Sequence, residues 1–288
     1  PALTFIATAE AVSLLHAKVL LADVDPQTYT LDPSKIPASD ATKALLPVHL
    51  YGQPADMSPL LKLAKQHAWA VVEDCAQAHG ARYGGAPVGS FGDFGAFSFY
   101  PSKNLGALGD AGAVVSNHLE ALDGVRRLGN HGRLSRYEHV EAGVNSRLDA
   151  LQALALSLKL ARLGDWNAAR NRVAKLYQQF LGNIPDLQLP HTGPNRTHVY
   201  HLYVVLWPER DRLGEALDAA HIGYAVHYPI PLHLQTAYRK LGYHKGDFPI
   251  AEHVARNCLS LPMFPEMTEA QVERVCNVVR AHCGAGAS

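Results

Sequence analysis

The stretch "WAVVEDCAQAHGARYGGAPVGSFGDFGAFSFYPSKN", residues 69–104, determines the fold prediction because it joins a strand to a glycine-rich region of turns. Its first eight residues are typical of a strand that ends near the polar pair Glu73 and Asp74. Nine glycines follow between Gly80 and Gly112. Glycine at this density is typical of tight turns and of backbone that approaches a ligand closely. We therefore expect a binding site where this strand ends.

Lys103 is the one cation between residues 98 and 115, and its neighbours are aromatic, small or apolar. Two interpretations fit this setting. The stem of the lysine could lie along apolar surface while its amine reaches water. Alternatively, desolvation could disfavour the charged amine, lower its pKa and make it a nucleophile. The local sequence does not decide between them.

Predicted strands and helices alternate around this stretch. We predict strands over 17–25, 43–52 and 69–76 and a helix over 57–68. Such alternation indicates an α/β fold with a mostly parallel sheet. Ligands of these sheets bind beyond the carboxyl ends of the strands, and Asp74 falls at such an end.

The second half of the chain has a different pattern. Apolar residues recur at three- and four-residue steps from 146 to 181, which predicts one or two long helices. The elements predicted after them are two strands, over 198–207 and 224–230, and two helices, over 212–222 and 268–283. Because single cores seldom grow beyond about 250 to 300 residues, we predict a large domain over 1–160 and a smaller α+β domain over 161–288.

The composition excludes several classes of partner. The 26 basic and 26 acidic side chains give a formal charge of zero, and the longest basic run is Arg126-Arg127. Nucleic acids and anionic membrane surfaces need clustered cations, so we expect neither as a partner. No apolar run approaches the roughly 20 residues of a membrane-spanning helix. The four cysteines form no CxxC pair and no secretory leader is visible, which predicts a cytoplasmic protein.

The 16 histidines raise the question of a metal site. The two histidines of HVYH, residues 198–201, would lie on opposite faces of a strand. The sequence contains neither an HExxH string nor a cluster of cysteine and histidine. We therefore predict no bound metal.

Asp74 and Lys103 considered together favour the nucleophile interpretation. Pyridoxal phosphate (PLP) needs an amine that holds its aldehyde as a Schiff base and a carboxylate that keeps its pyridine nitrogen protonated. The two residues lie 29 positions apart, and both adjoin glycine-rich turns. This pair predicts a PLP site.

Seven segments carry a resemblance to a known family. They are PALTFIATAEAV, PVHLYGQPADM, VVEDCAQAHGARY, GSFGDFGAFSFYPSKNLGALGDAGAVV, NHGR, GVNSRLDALQAL and HYPIPLHLQTAY. Together they resemble the sugar-nucleotide aminotransferases of the DegT/StrS type, which have the aspartate aminotransferase fold, or PLP-transferase fold type I. The resemblance extends from Pro1 to the last predicted helix.

The resemblance implies a role for each residue of the cofactor site. Lys103 matches the lysine that binds the PLP aldehyde and then moves a proton between cofactor and substrate carbons. Asp74 matches the partner of the pyridine nitrogen, and Gln77 matches the polar residue near the ring hydroxyl. Ser98 matches a ligand of the cofactor phosphate, and Phe5 matches the aromatic side chain that stacks on the ring.

The resemblance also implies a homodimer with a shared active site. Asn145 matches a residue that reaches the cofactor phosphate of the neighbouring subunit. His227, Tyr228 and His233 fall where the family binds its sugar nucleotide. Family members carry a Gly-Ser/Thr turn at a helix N-terminus that also holds the phosphate. That turn is expected to precede the region where these 288 residues start, so the chain would supply only part of the phosphate site.

Lys103 distinguishes two reactions within the family. A histidine at this position marks dehydrases that remove a sugar hydroxyl, whereas a lysine marks transamination. The expected reaction moves an amino group from L-glutamate to a keto group of a dTDP- or UDP-linked hexose. The product would be an amino sugar for a polysaccharide, such as lipopolysaccharide, or for a natural-product glycan. The segment YPSKNLGALGDAGAVV resembles members that act on 3-keto sugars more than members that act on 4-keto sugars.

Other interpretations stay open at this stage. The chain could be a catalytically inactive regulatory or scaffold protein, or an aminotransferase that acts on a cyclitol ketone. A Rossmann oxidoreductase would need a GxGxxG turn after its first strand, which the sequence lacks. The candidate residues also have structural alternatives: a helix cap for Asp74, turn or core hydrogen bonds for Gln77, Ser98 and Asn145, and core packing for Phe5.

Overall fold

The computed structural model describes residues 1–37 and 39–283. Within them the helices are α1 (Ala7–Leu14), α2 (Met57–His67), α3 (Leu119–Leu128), α4 (Ala150–Leu160), α5 (Leu163–Leu181), α6 (Arg210–Ala219), α7 (Pro249–Asn257) and α8 (Glu269–Cys283). The strands are β1 (Ala44–Leu45), β2 (Ala70–Asp74), β3 (Arg82–Tyr83), β4 (Ala86–Pro87), β5 (Phe94–Ser98), β6 (Gly112–Val115), β7 (Tyr203–Leu206) and β8 (Cys258–Leu261). Short 3₁₀ helices occupy Pro33–Lys35, Leu50–Gly52, Leu232–Leu234 and Thr236–Leu241. None of the helices in these residues is both long and apolar enough to span a membrane.

A four-stranded sheet carries the residues around Asp74. Its strand order is β1-β2-β5-β6, in which β1, β2 and β5 are parallel and β6 is antiparallel. Asp74 at the end of β2 lies opposite Ala96 of β5, and Ser98 ends β5 two residues later. The two strands therefore bring polar side chains to the same edge of the sheet. The predicted mixed and mostly parallel sheet is confirmed.

Helix α2 packs against β2 through one apolar face. Met57, Leu60 and Ala64 recur at three- and four-residue spacing and are buried. They share a hydrophobic cluster with Trp69 and with Val71 of β2. This packing holds the strand that ends at the candidate site, and it confirms the helix predicted in this region.

Two strands predicted in the first half are wrong over most of their length. Residues 17–25 form no ladder within the described chain and make only an isolated bridge between Val24 and Leu31. An alternating pattern does not supply the neighbouring strand that a ladder needs. Within residues 43–52, only β1 and one further bridge pair with β2. Pro47 interrupts the ladder because proline has no backbone N–H.

The second half combines confirmed helices with one wrong strand. The long helical region consists of two helices, α4 and α5, and the other two predicted helices correspond to α6 and α8. Residues 224–230 form no strand and make only a bridge between Ala225 and Ser260. Pro229 and Pro231 flank the end of this segment and cannot donate to a ladder. The strand predicted over 198–207 is confirmed in its last part, as β7.

The C-terminal part of the chain has its own core. Strands β7 and β8 form an antiparallel pair, and helices α5, α6 and α8 pack around it. Tyr177, Tyr203, Leu213, Leu259 and Val272 are buried in this cluster. The observed elements agree with the predicted α+β character of this region.

A second cluster and a helix cap connect the two halves of the chain. Tyr51 and Val254 belong to one hydrophobic cluster that draws residues from both halves. The carboxylate of Asp23 accepts hydrogen bonds from the backbone N–H groups of Ile250 at 3.0 Å and Ala251 at 2.8 Å, in the first turn of α7. A carboxylate at a helix N-terminus is stabilising. The two predicted domains therefore share contacts, and their boundary near residue 160 stays a prediction.

Candidate active site

The carboxylate of Asp74 is held from two sides at the carboxyl end of β2. Thr8 Oγ1 of α1 donates to Asp74 Oδ2 at 2.7 Å. The backbone N–H of Ala76 donates to Asp74 Oδ1 at 3.1 Å. A carboxylate has about four acceptor positions, so Asp74 retains positions for a ligand.

Lys103 lies in a turn that follows β5. Its backbone N–H donates to the carbonyl oxygen of Tyr100 at 2.9 Å, and its side chain is half-buried. Burial lowers the pKa of the Lys103 amine, while the nearby charge of Asp74 partly opposes this effect. The lowered pKa increases the fraction of free amine near neutral pH. This environment supports the nucleophile interpretation of the sequence.

Gln77 connects the sheet edge to two other segments. Its Oε1 accepts a hydrogen bond from the backbone N–H of Tyr51 at 2.6 Å, and its Nε2 donates to the hydroxyl of Tyr228 at 3.0 Å. The hydroxyl of Tyr51 donates to the carbonyl oxygen of His227. These bonds bring His227 and Tyr228, from the second half of the chain, to the residues that follow β2. Sequence patterns did not point to Tyr51.

Two aromatic rings adjoin this group. The ring centroids of Phe5 and Tyr228 lie 5.8 Å apart, and Phe5 is 53% exposed. Burial raises the pKa of Tyr228 to about 12, with the hydrogen bond from Gln77 opposing this effect and the charge of Asp74 adding to it. Tyr228 is therefore a neutral phenol near pH 7, and its oxygen accepts from Gln77 while its own proton stays available for donation.

Three histidines of the described residues lie near Lys103 and stay neutral. Burial, and then the charge of Lys103, lowers the pKa of His79 to about 4. The same two causes lower the pKa of His227 and place that of His201 well below its usual range. His227 Nδ1 also lies 2.8 Å from Ser260 Oγ. At neutral pH these imidazoles add no positive charge beside the lysine.

Comparison with known proteins identifies the family. The model of the DegT/DnrJ/EryC1/StrS aminotransferase family matches residues 1–280. The chain belongs to this family. A UDP-N-acetyl-3-dehydro-alpha-D-glucosamine 3-aminotransferase of Acidithiobacillus ferrooxidans is 46% identical over 284 residues, which cover 97% of this chain and 76% of the relative.

Two further similarities come from Streptomyces venezuelae. A dTDP-3-amino-3,4,6-trideoxy-alpha-D-glucose transaminase of this organism is 44% identical over 282 residues, covering 97% of the chain and 74% of the relative. The crystal structure of S. venezuelae DesV in complex with a ketimine intermediate matches with a TM-score of 0.95 at 44% identity, covering 98% of this chain and 77% of that one. The chain thus spans about three quarters of the length of these relatives.

These findings confirm the predicted fold and cofactor. The protein is an aminotransferase of the DegT/DnrJ/EryC1/StrS family with the PLP-transferase fold, and its cofactor is PLP. The described side chains fit this cofactor. Lys103 offers an amine with a lowered pKa, Asp74 offers free acceptor positions, and Phe5 offers an exposed ring for stacking.

Ser98 and Asn145 are less directly connected to this group. Ser98 is half-buried at the same sheet edge, and its Oγ accepts from the backbone N–H of Tyr100 at 3.3 Å. Asn145 is exposed, and its Oδ1 accepts from Arg147 Nε at 3.2 Å. Within the described chain the structure does not bring Asn145 to Lys103. The phosphate contacts of Ser98 and Asn145 stay predictions.

His233 lies in a buried setting. It is 1% exposed, and its Nε2 lies 2.9 Å from Glu252 Oε1. Its ring also contacts the edge of Phe248, with centroids 4.8 Å apart. These contacts indicate a structural role for the Nε2 side of the ring. A substrate contact of His233 stays a prediction.

His49, Glu73 and Cys75 are the described residues whose potential metal ligands lie within 4.8 Å of one another. His49 Nδ1 accepts from the backbone N–H of Ala55 at 3.0 Å, so its Nε2 carries the proton and donates to Glu73 Oε2 at 2.9 Å. Glu73 also accepts three backbone N–H groups from residues 89–92. These bonds use the atoms that a metal would need. We therefore interpret the group as a structural link between β2, the segment with His49 and residues 89–92, next to Asp74.

Proposed function

We propose that the protein transfers an amino group to the 3-keto position of a nucleotide-linked sugar, with L-glutamate as the amino donor. The observation that carries the proposal is the half-buried amine of Lys103 beside Asp74 at the carboxyl edge of the sheet. The 3-keto position and a dTDP- or UDP-linked substrate are supported by the names of the two relatives described above. The product is an amino sugar for lipopolysaccharide, another polysaccharide or a natural-product glycan.

Lys103, Asp74 and Phe5 form the proposed catalytic group. PLP, when bound, supplies an aldehyde and a ring that withdraws electrons. Lys103 Nζ would hold the aldehyde and would then move a proton in both halves of the reaction. Asp74 would hold the proton of the ring nitrogen, and Phe5 would offer its ring for stacking.

The remaining predicted residues are assigned to orientation and substrate binding. Gln77 Nε2 would donate to the ring hydroxyl, and Ser98 Oγ would donate to the phosphate. His227 and Tyr228 line the substrate side, where the neutral phenol of Tyr228 donates to a sugar oxygen. His233, from the same segment, adds its Nδ1, which is buried with no hydrogen-bond partner among the described residues.

The cysteines support a cytoplasmic location. Cys75, Cys258, Cys276 and Cys283 are all buried free thiols. Disulfides are rare in the cytoplasm, where thiols are kept reduced. We therefore propose that the protein works in the cytoplasm.

An assay with UDP- and dTDP-linked 3-keto and 4-keto hexoses tests the proposed substrate. With PLP and L-glutamate, we expect kcat/KM for a 3-keto sugar to exceed that for its 4-keto isomer by at least about tenfold, because one keto position is held near Lys103. Formation of 2-oxoglutarate and of the amino sugar is followed by mass spectrometry. Turnover of the 4-keto sugar alone contradicts the proposed position.

Two more outcomes of that assay separate the alternatives. A regulatory protein without catalysis would turn over none of the sugars. An enzyme of cyclitol ketones would also ignore them, and free UDP or dTDP would not compete with its substrate. Competition by a free nucleotide together with turnover of a 3-keto sugar supports the sugar-nucleotide proposal.

Helix α4 supports the proposed homodimer because it presents an apolar face to solvent. Leu151, Leu154 and Leu158 are 67%, 59% and 70% exposed and recur at three- and four-residue steps. Val144, next to Asn145, is 56% exposed. Contiguous apolar patches of this kind are rare on monomers. We propose that a second copy of the chain covers this face and that Asn145 thereby reaches the cofactor phosphate of the other subunit.

Glutamate at two of these leucines is expected to break the dimer. In the double variant Leu154→Glu and Leu158→Glu, dimerisation would bury unpaired charges, so we expect the dimer dissociation constant to rise at least about 100-fold. Sedimentation equilibrium measures this constant. The matched control is Ala219→Glu, which adds a carboxylate at an exposed position of α6. A wild-type protein that is monomeric at micromolar concentration contradicts the proposal.

A further inference from the structure

Thr8 contacts the carboxylate on which the proposed chemistry depends. Its Oγ1 lies 2.7 Å from Asp74 Oδ2, and an ionised carboxylate only accepts, so Thr8 must be the donor. Thr8 Oγ1 also lies 3.3 Å from Thr4 Oγ1. Because the proton of Thr8 is directed at Asp74, Thr4 donates in this second contact. The three side chains form a hydrogen-bonded chain in which Thr4 donates to Thr8 and Thr8 donates to Asp74.

Helix α1 holds the hydroxyl of Thr8 in place. Thr8 is the second residue of α1, and its backbone N–H donates to the carbonyl oxygen of Phe5 at 3.4 Å. Phe5 lies two residues before α1 begins, and this bond links it to Thr8 in the first turn. Ala9 and the partly buried Val12 anchor the helix in the cluster that joins the two halves of the chain. The segment that presents Phe5 for stacking therefore also presents Thr8 to Asp74.

Thr8 is the one side chain of residues 1–37 and 39–283 that donates a hydrogen bond to Asp74. The other donor is the backbone N–H of Ala76. Burial lowers the pKa values of the Lys103 and Pro1 amines, and both amines lie close enough to Asp74 for its charge to oppose this effect, without a hydrogen bond to it.

We propose that Thr8 is a positioning residue that orients the Asp74 carboxylate so that a free acceptor position faces the ring nitrogen of PLP. This inference rests on the role of Asp74 in the proposed function. Two donors on two different oxygens fix the plane of the carboxylate. Thr8 thus keeps the Asp74 carboxylate aligned.

Two variants test this role. Thr8→Val removes the hydroxyl and keeps the branched shape, and Thr8→Ser keeps the hydroxyl. We expect Thr8→Val to bind PLP about tenfold more weakly, as the loss of a hydrogen bond to a charged group predicts, and Thr8→Ser to stay within about twofold of wild type. The thermal midpoint of the PLP-free Thr8→Val protein should stay within about 4 °C of wild type. Thr236→Val, at an exposed position, is the matched control.

A second measurement does not need PLP. Near neutral pH, the ¹³C signal of the Asp74 carboxyl carbon in the PLP-free protein should move in Thr8→Val, because the carboxylate loses one of its two hydrogen-bond donors. Thr8→Ser should keep the wild-type signal. If the backbone N–H of Ala76 alone orients the carboxylate, both variants would keep the wild-type signal.

The outcomes separate this inference from the proposed function. An Asp74 carboxyl signal in Thr8→Val that equals the wild-type signal overturns the role of Thr8, as does a Thr8→Ser protein that behaves like Thr8→Val. Failure of the wild-type protein to bind PLP counts against the proposed function. The NMR signal of the PLP-free protein still decides the role of Thr8 in that case.

Discussion

Replacing Lys103 with alanine is expected to abolish transamination, with a loss of at least about 10⁴-fold in kcat. The reason is that one amine is proposed both to bind the PLP aldehyde and to move the proton. The three histidines near Lys103 have lowered pKa values and no assigned contact with the reacting carbon, so none is placed to replace it. The measurement is single-turnover kinetics with a saturating 3-keto sugar nucleotide.

Two further variants separate chemistry from packing at this position. Lys103→Arg keeps a positive charge but removes the nucleophile, because a guanidinium is not deprotonated in proteins. We expect it to be as inactive as Lys103→Ala. Lys175→Ala changes an exposed lysine of α5 and should keep wild-type activity. Circular dichroism should show that all three variants are folded.

Mass spectrometry gives an independent measure of the role of Lys103. After incubation with PLP and reduction with borohydride, the wild-type protein and Lys175→Ala should gain one cofactor mass on the peptide that contains residue 103. Neither Lys103 variant should gain it. Activity above about 1% of wild type in Lys103→Ala, or cofactor attached to a different lysine, contradicts the assignment.

The parts of the site that the sequence predicts best lie close together along the chain. Asp74 ends β2, in which buried residues alternate with more exposed ones. The parallel partner of this strand, β5, leads to Ser98 and then to the turn that contains Lys103. Local pattern suffices here because parallel strands place their carboxyl ends at one edge. The glycines between the two strands are consistent with the turns that this path requires.

The contacts that the sequence does not predict join residues far apart in the chain. Thr8 and Asp74 are separated by 66 positions, and Gln77 and Tyr228 by 151. No local periodicity encodes which hydroxyl meets which acceptor, since that depends on how the segments pack.

The wrong strands have a related explanation. Residues 17–25 have the composition of a strand, but strand pairing depends on a neighbour as much as on the segment itself. Strand β8 shows the converse, because the short segment Cys258–Leu261 was not predicted and yet pairs along its whole length with β7. Helices α2, α6 and α8 were predicted because a helix satisfies its backbone hydrogen bonds internally.

Glu73 is the residue whose replacement we expect to destabilise the fold most strongly. Its carboxylate is fully buried and accepts four hydrogen bonds. Oε2 accepts from His49 Nε2 at 2.9 Å and from the backbone N–H of Gly89 at 2.8 Å. Oε1 accepts from the N–H groups of Phe91 and Gly92, each at 2.8 Å. One side chain thus links β2, the segment that contains His49 and the loop before β5.

Glu73→Gln is expected to lower the free energy of unfolding by about 3 kcal/mol, because one amide NH₂ group would face two donors and leave both without an acceptor. For a chain of this size that corresponds to a fall of about 6 to 12 °C in the thermal midpoint. Glu120→Gln, at an exposed position in the first turn of α3, should change the free energy by less than about 0.5 kcal/mol. Urea unfolding measures both values.

The same substitution should remove part of the acid sensitivity of the protein. Burial alone would raise the pKa of Glu73, but the hydrogen bond from His49, together with the N–H groups of Gly92 and Gly89, outweighs it and lowers the pKa below 4.5. A lowered pKa in the folded state contributes stability that is complete above the unfolded value and is lost as the pH falls through the folded value. The difference in unfolding free energy between wild type and Glu73→Gln should therefore be constant above about pH 5.5 and should shrink below about pH 4.5. A difference that stays constant down to about pH 3 would mean that Glu73 has the same pKa in the folded and unfolded protein, and the bonds to His49 and the loop would then have to be reassigned.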